Sequence, residues 1–214
     1  MLEEIYAVER DSGVKVGSLV LMGIGEPLDN FDNVMKFLEI LSSPDGKNLS
    51  LRHVSLSTCG IVERIYDLME RKLGITLSIS LHASDNETRS RIMPVNKRYS
   101  IEELLAACKK YFEVTGRRIS FEYALISGVN DTEKHADDLA RLLKPMICHV
   151  NLIPVNPVKE NSYKRSSRAS IENFRKLLEK RGINATIRRE LGSDISAACG
   201  QLRLSRKKEK EEEQ

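Results

Sequence analysis

The sequence has no long apolar segment. None of its apolar runs approaches the roughly 20 residues needed to cross a bilayer. Its first residues, MLEEIYAVERD, are acidic, whereas a signal peptide begins with basic residues and continues with apolar ones. We therefore expect a cytoplasmic protein that has no membrane partner.

The sequence also lacks paired cysteines. Its four cysteines are separated by 40 residues or more, so none of them forms a C-x-x-C pair. Because short spacings of this kind mark most sequence-local metal sites, the pattern predicts no metal ligand in this chain. The four positions are Cys59, Cys108, Cys148 and Cys199.

A dinucleotide-binding fingerprint is absent as well. The segment Gly23-Ile24-Gly25-Glu26-Pro27 contains a G-x-G but no third glycine, and Pro27 interrupts it where the fingerprint needs a helix to begin. Two interpretations of the segment remain. In the first, the glycines let a ligand approach the backbone and the adjacent carboxylate pairs with an ammonium group. In the second, the segment is a tight turn with a solvent-facing glutamate.

Charge gives only a weak indication of partners. A net charge of +3 and a pI of about 8.6 permit a nucleic-acid partner without requiring one. Basic residues gather in the C-terminal third beside Tyr163, a composition typical of surfaces that contact phosphates, although each pair alone fits a solvated face. The basic clusters are Lys97-Arg98, Arg117-Arg118, Lys164-Arg165 with Arg168, Arg188-Arg189, and 203–208.

Apolar runs alternate with helical patterns along the chain. The runs are rich in valine, isoleucine and leucine and end in glycine, proline or small polar residues, which predicts buried strands followed by loops. Five strands are predicted at 18–25, 53–60, 76–83, 118–128 and 149–157, with a possible sixth in 183–191. Helices with one apolar face are predicted at 33–41, 101–112, 132–143 and 170–181. Ser100 and Glu103 form a predicted capping box.

This alternation predicts an α/β fold with parallel strands, arranged as an open doubly wound sheet or as a barrel. In both architectures ligands bind at the carboxyl ends of the strands. The residues that follow the predicted strands are therefore the candidates for a functional site.

Hydroxyl, imidazole and amide side chains occupy those positions. Ser57 lies where a hydroxyl can hold a ligand or simply cap the next helix, and Ser80 and His82 share one face of a predicted strand. A histidine there is more often structural than catalytic. Asn156 lies between two prolines, which favours a fixed ligand contact or a simple turn.

Several longer stretches, in order from about residue 18 to residue 202, carry a family resemblance. They are LMGIGEPLDNFDNV, VSLSTCGIV, ISLHASDNETRSRIMPVNKRYSIEELL, HVNLIPVNP, YKRSS and DISAACGQL. The chain resembles the radical S-adenosylmethionine (SAM) enzymes that methylate carbon 2 of an adenine in 23S ribosomal RNA and in some transfer RNAs. The resemblance implies a partial parallel (β/α) barrel of the radical SAM type over 1–204, N-terminally truncated, and a charged disordered tail at 205–214.

The resemblance also implies roles for individual residues. Gly25 and Glu26 hold the methionine amino group of SAM, and Cys199 accepts a methyl group from a first SAM molecule. Further contacts with the cofactor are implied for Ser57, Ser80, Leu81, His82 and Asn156.

The implied reaction proceeds by radical transfer. A second SAM molecule is cleaved at a [4Fe-4S] cluster, and the deoxyadenosyl radical removes hydrogen from the methylated Cys199. The resulting carbon radical adds to adenine, and a second cysteine releases the product by forming a disulfide. The implied partners are 23S rRNA, tRNA and an electron-donor protein such as flavodoxin, and the implied state is a monomer.

The chemistry explains the need for a cysteine. Carbon 2 of adenine is electron-poor, so a methyl group must arrive there as a radical on a tether. Cys199 accepts a methyl group efficiently only as a thiolate, and a free thiol with a pKa of about 8.5 is mostly protonated at neutral pH. Arg188, Arg189 and Arg203 are near in sequence and are candidates to favour the thiolate.

The chain departs from the family in its N-terminal part. The family's C-x-x-x-C-x-x-C cluster loop, its second catalytic cysteine and its small RNA-binding domain are not present in this sequence. We therefore expect a C-terminal portion of a longer protein, with Met1 an internal methionine. Cys59 stands where serine or another small residue is usual in the family. Val155 stands where tryptophan is usual.

Three alternatives to carbon-2 methylation stay open at this point. The chain is a non-catalytic fragment that binds RNA or SAM, or a relative that methylates carbon 8 of adenine. Otherwise it is an unrelated barrel enzyme that uses His82 or Glu26 as a general base.

Overall fold

A parallel six-stranded sheet forms the centre of the computed structural model, which describes residues 1–22, 25–155 and 163–189. The strands are β1 (Leu19–Leu21), β2 (Val54–Thr58), β3 (Thr76–Ser80), β4 (Ile119–Leu125), β5 (Cys148–Pro154) and β6 (Ala185–Ile187). All five predicted strands are confirmed, and the possible sixth is present. The predicted boundary at residue 204 and the tail lie outside the described residues.

Seven helices lie in the described part of the chain, one before β1 and six between successive strands. They are α1 (Leu2–Ser12), α2 (Phe31–Ser42), α3 (Val62–Glu70), α4 (Asn86–Ile92), α5 (Ile101–Thr115), α6 (Glu133–Leu143) and α7 (Arg168–Lys180). Short 3-10 turns lie at Pro27–Asn30, Leu51–His53 and Pro94–Lys97. The four predicted helices are confirmed, as is the capping box of α5, in which Ser100 and Glu103 cap each other's backbone.

The strand order decides between the two predicted architectures. The strands lie in chain order from β1 to β6, and every neighbouring pair is parallel. A doubly wound sheet needs a point at which the order reverses, and the described strands have none. Successive right-handed crossovers in one direction place the helices on one face, as in a barrel.

The two faces of the sheet differ in polarity. The face toward the helices is apolar and forms the core with, for example, Leu56 and Phe121, both fully buried. Side chains alternate across a strand, so every second residue points to the other, inner face. Small or polar side chains occupy that face at Ser55, Ser57, Ser78, Ser80, Ser120, Glu122, His149, Asn151 and Thr186.

None of the described helices is long and apolar enough to cross a membrane.

Candidate cofactor-binding cleft

A cleft of about 310 Å³ opens at the carboxyl ends of the strands, where the sequence predicts the functional site. The structure brings five of the predicted site residues to its lining, namely Gly25, Glu26, Ser57, Ser80 and His82. Leu81 is fully buried beside them and does not line the cleft. Asn156 and Cys199 lie outside the described residues. The functional roles of all eight stay predictions.

Glu26 is fixed by two backbone N–H groups. Its Oε1 accepts a hydrogen bond from the Leu28 N–H at 3.1 Å, which caps the 3-10 turn, and its Oε2 accepts one from the Cys59 N–H at 2.8 Å. The carboxylate therefore holds the loop after β1 against the end of β2. Gly25 precedes it with a φ of 88°, a left-handed conformation that favours glycine. Glu26 is a partly buried anchor with its charge at the cleft, and the interpretation as a solvent-facing turn residue is wrong.

The two hydroxyls at the end of β2 have different hydrogen-bond environments. Thr58 Oγ1 accepts a hydrogen bond from the Gly60 N–H at 3.1 Å and so stabilises the turn. The Ser57 hydroxyl has no hydrogen-bond partner among the described residues and lines the cleft. Neither hydroxyl caps helix α3, which begins at Val62 without a side-chain cap, and Ser57 is available to a ligand.

Cys59 also lines the cleft, but its thiol is not reactive in this environment. Burial, and then the negative charge of Glu26, raise the pKa of Cys59 to about 12. A thiol with that pKa is protonated at neutral pH and is a poor nucleophile and metal ligand.

His82 is held by three backbone groups. Its Nδ1 accepts a hydrogen bond from the Ala124 N–H at 3.0 Å, its own N–H donates to the Glu122 carbonyl at 3.2 Å, and its carbonyl accepts from Asn130 at 2.8 Å. These bonds hold the backbone at a φ of 58°, just beyond the end of β3. Because Nδ1 is an acceptor, the neutral ring carries its proton on Nε2. His82 is therefore a hydrogen-bond donor at the cleft and is badly placed to act as a general base.

We expect His82 to make the protein less stable in mild acid. Burial, followed by the nearby charges of Arg89 and Arg188, lowers the pKa of His82 to about 4 from its ordinary value near 6.5. Above pH 6.5 the ring is neutral in both folded and unfolded chains, and stability does not depend on it. As pH falls from 6.5 to 4, only the unfolded chain takes up the proton, so roughly 2 kcal/mol of stability is lost after discounting for partial exposure.

Urea unfolding at pH 7 and pH 4.5 measures this loss. The His82→Gln variant should lose less stability than the wild type over the interval, because both chains share all other titrating groups. His53→Gln, at an exposed position, is the matched control and should follow the wild type. Equal losses in the wild type and His82→Gln would contradict the assignment of a neutral ring.

A buried ion pair forms the other side of the cleft and was not predicted. Glu122 on β4 is 4% exposed, and its Oε2 accepts hydrogen bonds from Arg188 at 2.8 Å and from Asn151 at 2.7 Å. Burial raises the pKa of Glu122, while Arg188 and Asn151 act in the opposite direction. Arg188 was considered from the sequence as part of a basic cluster and as a cation near Cys199, and in the structure its charge is paired with Glu122.

Arg89 lies beneath the cleft and joins two strand ends. It is fully buried, and its guanidinium donates to the carbonyls of Leu81 at 3.1 Å, Cys59 at 2.8 Å and Ser80 at 3.3 Å, and to Asn96 Oδ1 at 3.0 Å. No carboxylate pairs with it among the described residues. The Cys59 residue is thus held on both sides, by anionic Glu26 at its N–H and by cationic Arg89 at its carbonyl.

Residues 2–143 match the family model of the radical SAM superfamily. The chain belongs to this superfamily. The match covers about two thirds of the chain and includes β1 to β4, so it contains the loops that carry Glu26, Ser57 and His82. It confirms the superfamily implied by the sequence motifs.

Curated proteins that are similar to this chain are RNA methyltransferases by name. The chain is 56% identical over 205 residues to a probable dual-specificity RNA methyltransferase RlmN of Lachnoclostridium phytofermentans, covering 96% of this chain and 58% of the relative. It is 54% identical over 201 residues to the protein of the same name from Desulforamulus reducens, covering 94% and 57%. The chain therefore spans less than two thirds of the length of the curated relatives it matches.

Solved structures of other proteins share the fold. A radical SAM methyltransferase from Sphaerobacter thermophilus superposes with a TM-score of 0.90 at 44% identity, over 94% of this chain and 60% of the other. A domain of the pyruvate-formate lyase-activating enzyme from Bacteroides vulgatus gives a TM-score of 0.64 at 20% identity, over 81% of this chain, which shows the fold alone. The predicted fold class is confirmed.

The two cofactors of the radical SAM superfamily fit the described residues differently. The cleft offers a fixed carboxylate and a hydroxyl without a protein partner, groups that suit the ammonium and the polar groups of SAM. No three His, Cys, Asp or Glu side chains in the described ranges come together as a metal site, and Cys108 and Cys148 are buried apart from the cleft. The described residues do not fit a [4Fe-4S] cluster.

Besides Arg188, two other arginines of the predicted basic clusters make intramolecular contacts. Arg98 bonds Glu63 at 3.3 Å and stacks on the Tyr99 ring, and Arg117 donates to the Ile75 carbonyl at 3.3 Å. An RNA-binding surface stays a prediction.

Proposed function

We propose that this chain is part of a radical SAM methyltransferase that methylates carbon 2 of adenine in 23S rRNA and tRNA, with Cys199 as the carrier of the methyl group. The observation that best supports the proposal is the convergence of Glu26, Ser57, Ser80 and His82 on one cleft at the strand ends. The similarity to dual-specificity RNA methyltransferases supports the substrate class.

In this proposal Glu26 binds the ammonium group of SAM. Its two backbone hydrogen bonds leave lone pairs on both oxygens, and Gly25 presents no side chain to hinder the approach of the ligand. When bound, SAM supplies the methyl group and, after reductive cleavage, the radical. The protein's contribution is to fix the amino-acid end of the cofactor at the β1 side of the cleft.

The ends of β2 and β3 supply the remaining contacts. Ser57 and Ser80 offer hydroxyls, and His82 donates through Nε2. Leu81 has a buried side chain, and its N–H and carbonyl are paired with Glu122 and Arg89, so we assign it the role of spacing its neighbours. Asn156 is proposed as a further cofactor contact on the strength of its motif.

The proposal extends to the conditions of the reaction. We place the protein in the cytoplasm as a monomer and expect an electron-donor protein such as flavodoxin, because reductive cleavage of SAM needs one electron from outside. Arg188 is paired with Glu122, so the charge that favours the Cys199 thiolate must come from other groups as well.

A non-catalytic fragment that binds SAM or RNA is the second candidate. One observation favours it: the described residues form no cluster site. Such a fragment retains the cleft but transfers no methyl group.

Nucleoside analysis separates these functions. This chain alone is expected to be inactive, so the full-length protein of which it is proposed to be part is expressed in cells that lack adenine carbon-2 methylation, and digested 23S rRNA and tRNA are examined by mass spectrometry. We expect 2-methyladenosine in both RNAs with the wild type and none with Cys199→Ala. A product methylated at carbon 8 would reassign the reaction to carbon 8. No methyladenine, with SAM still bound by the purified chain, would establish the non-catalytic fragment.

A further inference from the structure

A polar row crosses the inner face of the sheet at the level of the cleft. The register pairs Ser80 of β3 with Glu122 of β4, Glu122 with Asn151 of β5, and Asn151 with Thr186 of β6. Residues paired across parallel strands on one face lie side by side. Glu122 is thus the only acidic member of a continuous row that begins at a predicted cofactor contact, Ser80.

Glu122 has one oxygen with spare hydrogen-bonding capacity. Its Oε2 is shared by Arg188 and Asn151, at 2.8 and 2.7 Å, whereas the one contact of Oε1 among the described residues is the Ser120 hydroxyl at 3.4 Å. Glu122 is 4% exposed and still lines the cleft. A carboxylate this deeply buried needs strong hydrogen bonds to offset the loss of water, so the weakly bonded Oε1 suits a donor from a ligand.

Arg188 supplies hydrogen-bond donors beside the carboxylate of Glu122. One of its nitrogens, Nη2, bonds Glu122, and Nε and Nη1 have no hydrogen-bond partner among the described residues. The guanidinium also lines the cleft, so an acceptor and several donors stand side by side. Vicinal hydroxyl groups, each of which donates and accepts, match such a pair.

The inward-facing residues next to the polar row indicate which part of a nucleoside contacts Glu122 and Arg188. Toward the mouth of the cleft the next inward-facing pair is Ala124 and Ile153, which are apolar, and Ile153 lines the cleft. An apolar pair suits the face of a base, and the polar row beneath it suits a sugar. The ammonium of the ligand is already assigned to Glu26, next to β1 at the far edge of the sheet.

We propose that Glu122 and Arg188 bind the ribose diol of the adenosine moiety in the cleft, with Glu122 Oε1 accepting from one hydroxyl and Arg188 donating to the other. The inference rests on the proposed function and adds to it a determinant of ribose specificity. Glu122 also holds Arg188 in place, since this buried carboxylate and the one cation that pairs with it among the described residues depend on each other.

Ligands that differ only in the diol test this assignment. The 214-residue chain is titrated calorimetrically with 5′-methylthioadenosine and with its 2′,3′-dideoxy analogue. Glu122→Gln, which removes the charge and retains the shape, should weaken binding of the ribose ligand about tenfold. Binding of the dideoxy ligand should change by less than about twofold, because it has no hydroxyl to lose.

Matched variants control for charge and folding. Glu87→Gln makes the same charge change at an exposed position and should alter neither affinity. Arg188→Lys keeps the charge but loses the planar donor fork, so it should also weaken only the ribose ligand, whereas exposed Arg189→Lys should not. The Arg188 pair of variants keeps the test valid if Glu122→Gln fails to fold.

The outcomes distinguish this inference from the proposed function. Equal losses for both ligands in Glu122→Gln and in Arg188→Lys would overturn ribose recognition and leave the cofactor cleft in place. A wild-type chain that binds neither the two nucleosides nor SAM would overturn the cofactor cleft together with the inference.

Discussion

Replacing Arg89 with methionine is expected to lower the free energy of unfolding by about 3 to 5 kcal/mol. The substitution leaves the carbonyls of Cys59, Ser80 and Leu81 without their donor in a buried place. Each unsatisfied buried acceptor costs roughly 1 to 3 kcal/mol. Part of that cost is offset because a buried charge, expensive to remove from water, is no longer present.

Urea unfolding of Arg89→Met measures the effect. Arg91→Met is the matched control, since Arg91 is exposed on the same helix, α4, and its replacement should change stability by no more than about 0.5 kcal/mol. Arg89→Lys should fall between the wild type and Arg89→Met, because one ammonium cannot reach all four acceptors. A loss below about 1 kcal/mol in Arg89→Met would show that the carbonyls find other partners.

The strands and four of the helices were predictable because their signal is local. Each strand is a short apolar run that ends in turn residues, and helices α2, α5, α6 and α7 have long apolar stripes. Helix α4 has no such stripe. Its buried residues are Thr88 and Arg89, and it begins because Asp85 accepts a hydrogen bond from the Thr88 N–H at 2.7 Å. Periodicity cannot find a helix whose buried face is polar.

Helices α1 and α3 were also missed. Helix α1 buries only Ile5, whereas α3 buries Ile65, Leu68 and Met69 but is only nine residues long, so its apolar stripe is short. Within α5, Tyr111 is fully buried, whereas its neighbour Phe112 is partly buried and packs against the edge of the core. Which of two adjacent aromatic residues is buried depends on packing against the sheet, which local sequence does not encode.

The cleft was predictable in part. Residues that directly follow apolar runs, such as Glu26 and His82, could be located because the carboxyl ends of parallel strands are where ligands bind. Glu122 lies within a strand, and its pairing with Arg188 depends on two crossovers and the register of β4, β5 and β6. Sequence alone does not give that register.

One signal for the polar inner face was nevertheless present. In β2, β3 and β4 every second residue is serine, or serine and then glutamate, as in Ser57, Ser80 and Glu122. Alternation of this kind indicates a strand with one polar face. The strands were interpreted as buried on both faces because apolar residues dominate them, so the inner face and its ion pair were overlooked.

Replacing Glu26 with glutamine is expected to weaken SAM binding about 100-fold. A glutamine side chain has one acceptor, whereas the carboxylate accepts from both the Leu28 and Cys59 N–H groups. The variant therefore loses the negative charge that attracts the ammonium and turns an amide N–H₂ toward a backbone donor. Loss of a charged hydrogen bond in a partly buried place accounts for a change of this size.

The choice of ligand separates attraction of the ammonium from a general disturbance of the turn. Because 5′-methylthioadenosine has no amino-acid group, its affinity should change by less than about threefold in Glu26→Gln. Asp29→Asn makes the same charge change at an exposed position of the same turn and should leave SAM binding within about threefold of the wild type. The Glu26→Gln and Glu122→Gln substitutions would then weaken the binding of different halves of one ligand. If Glu26→Gln weakened both ligands equally, Glu26 would act only by holding the end of β2, and the ammonium would need another partner.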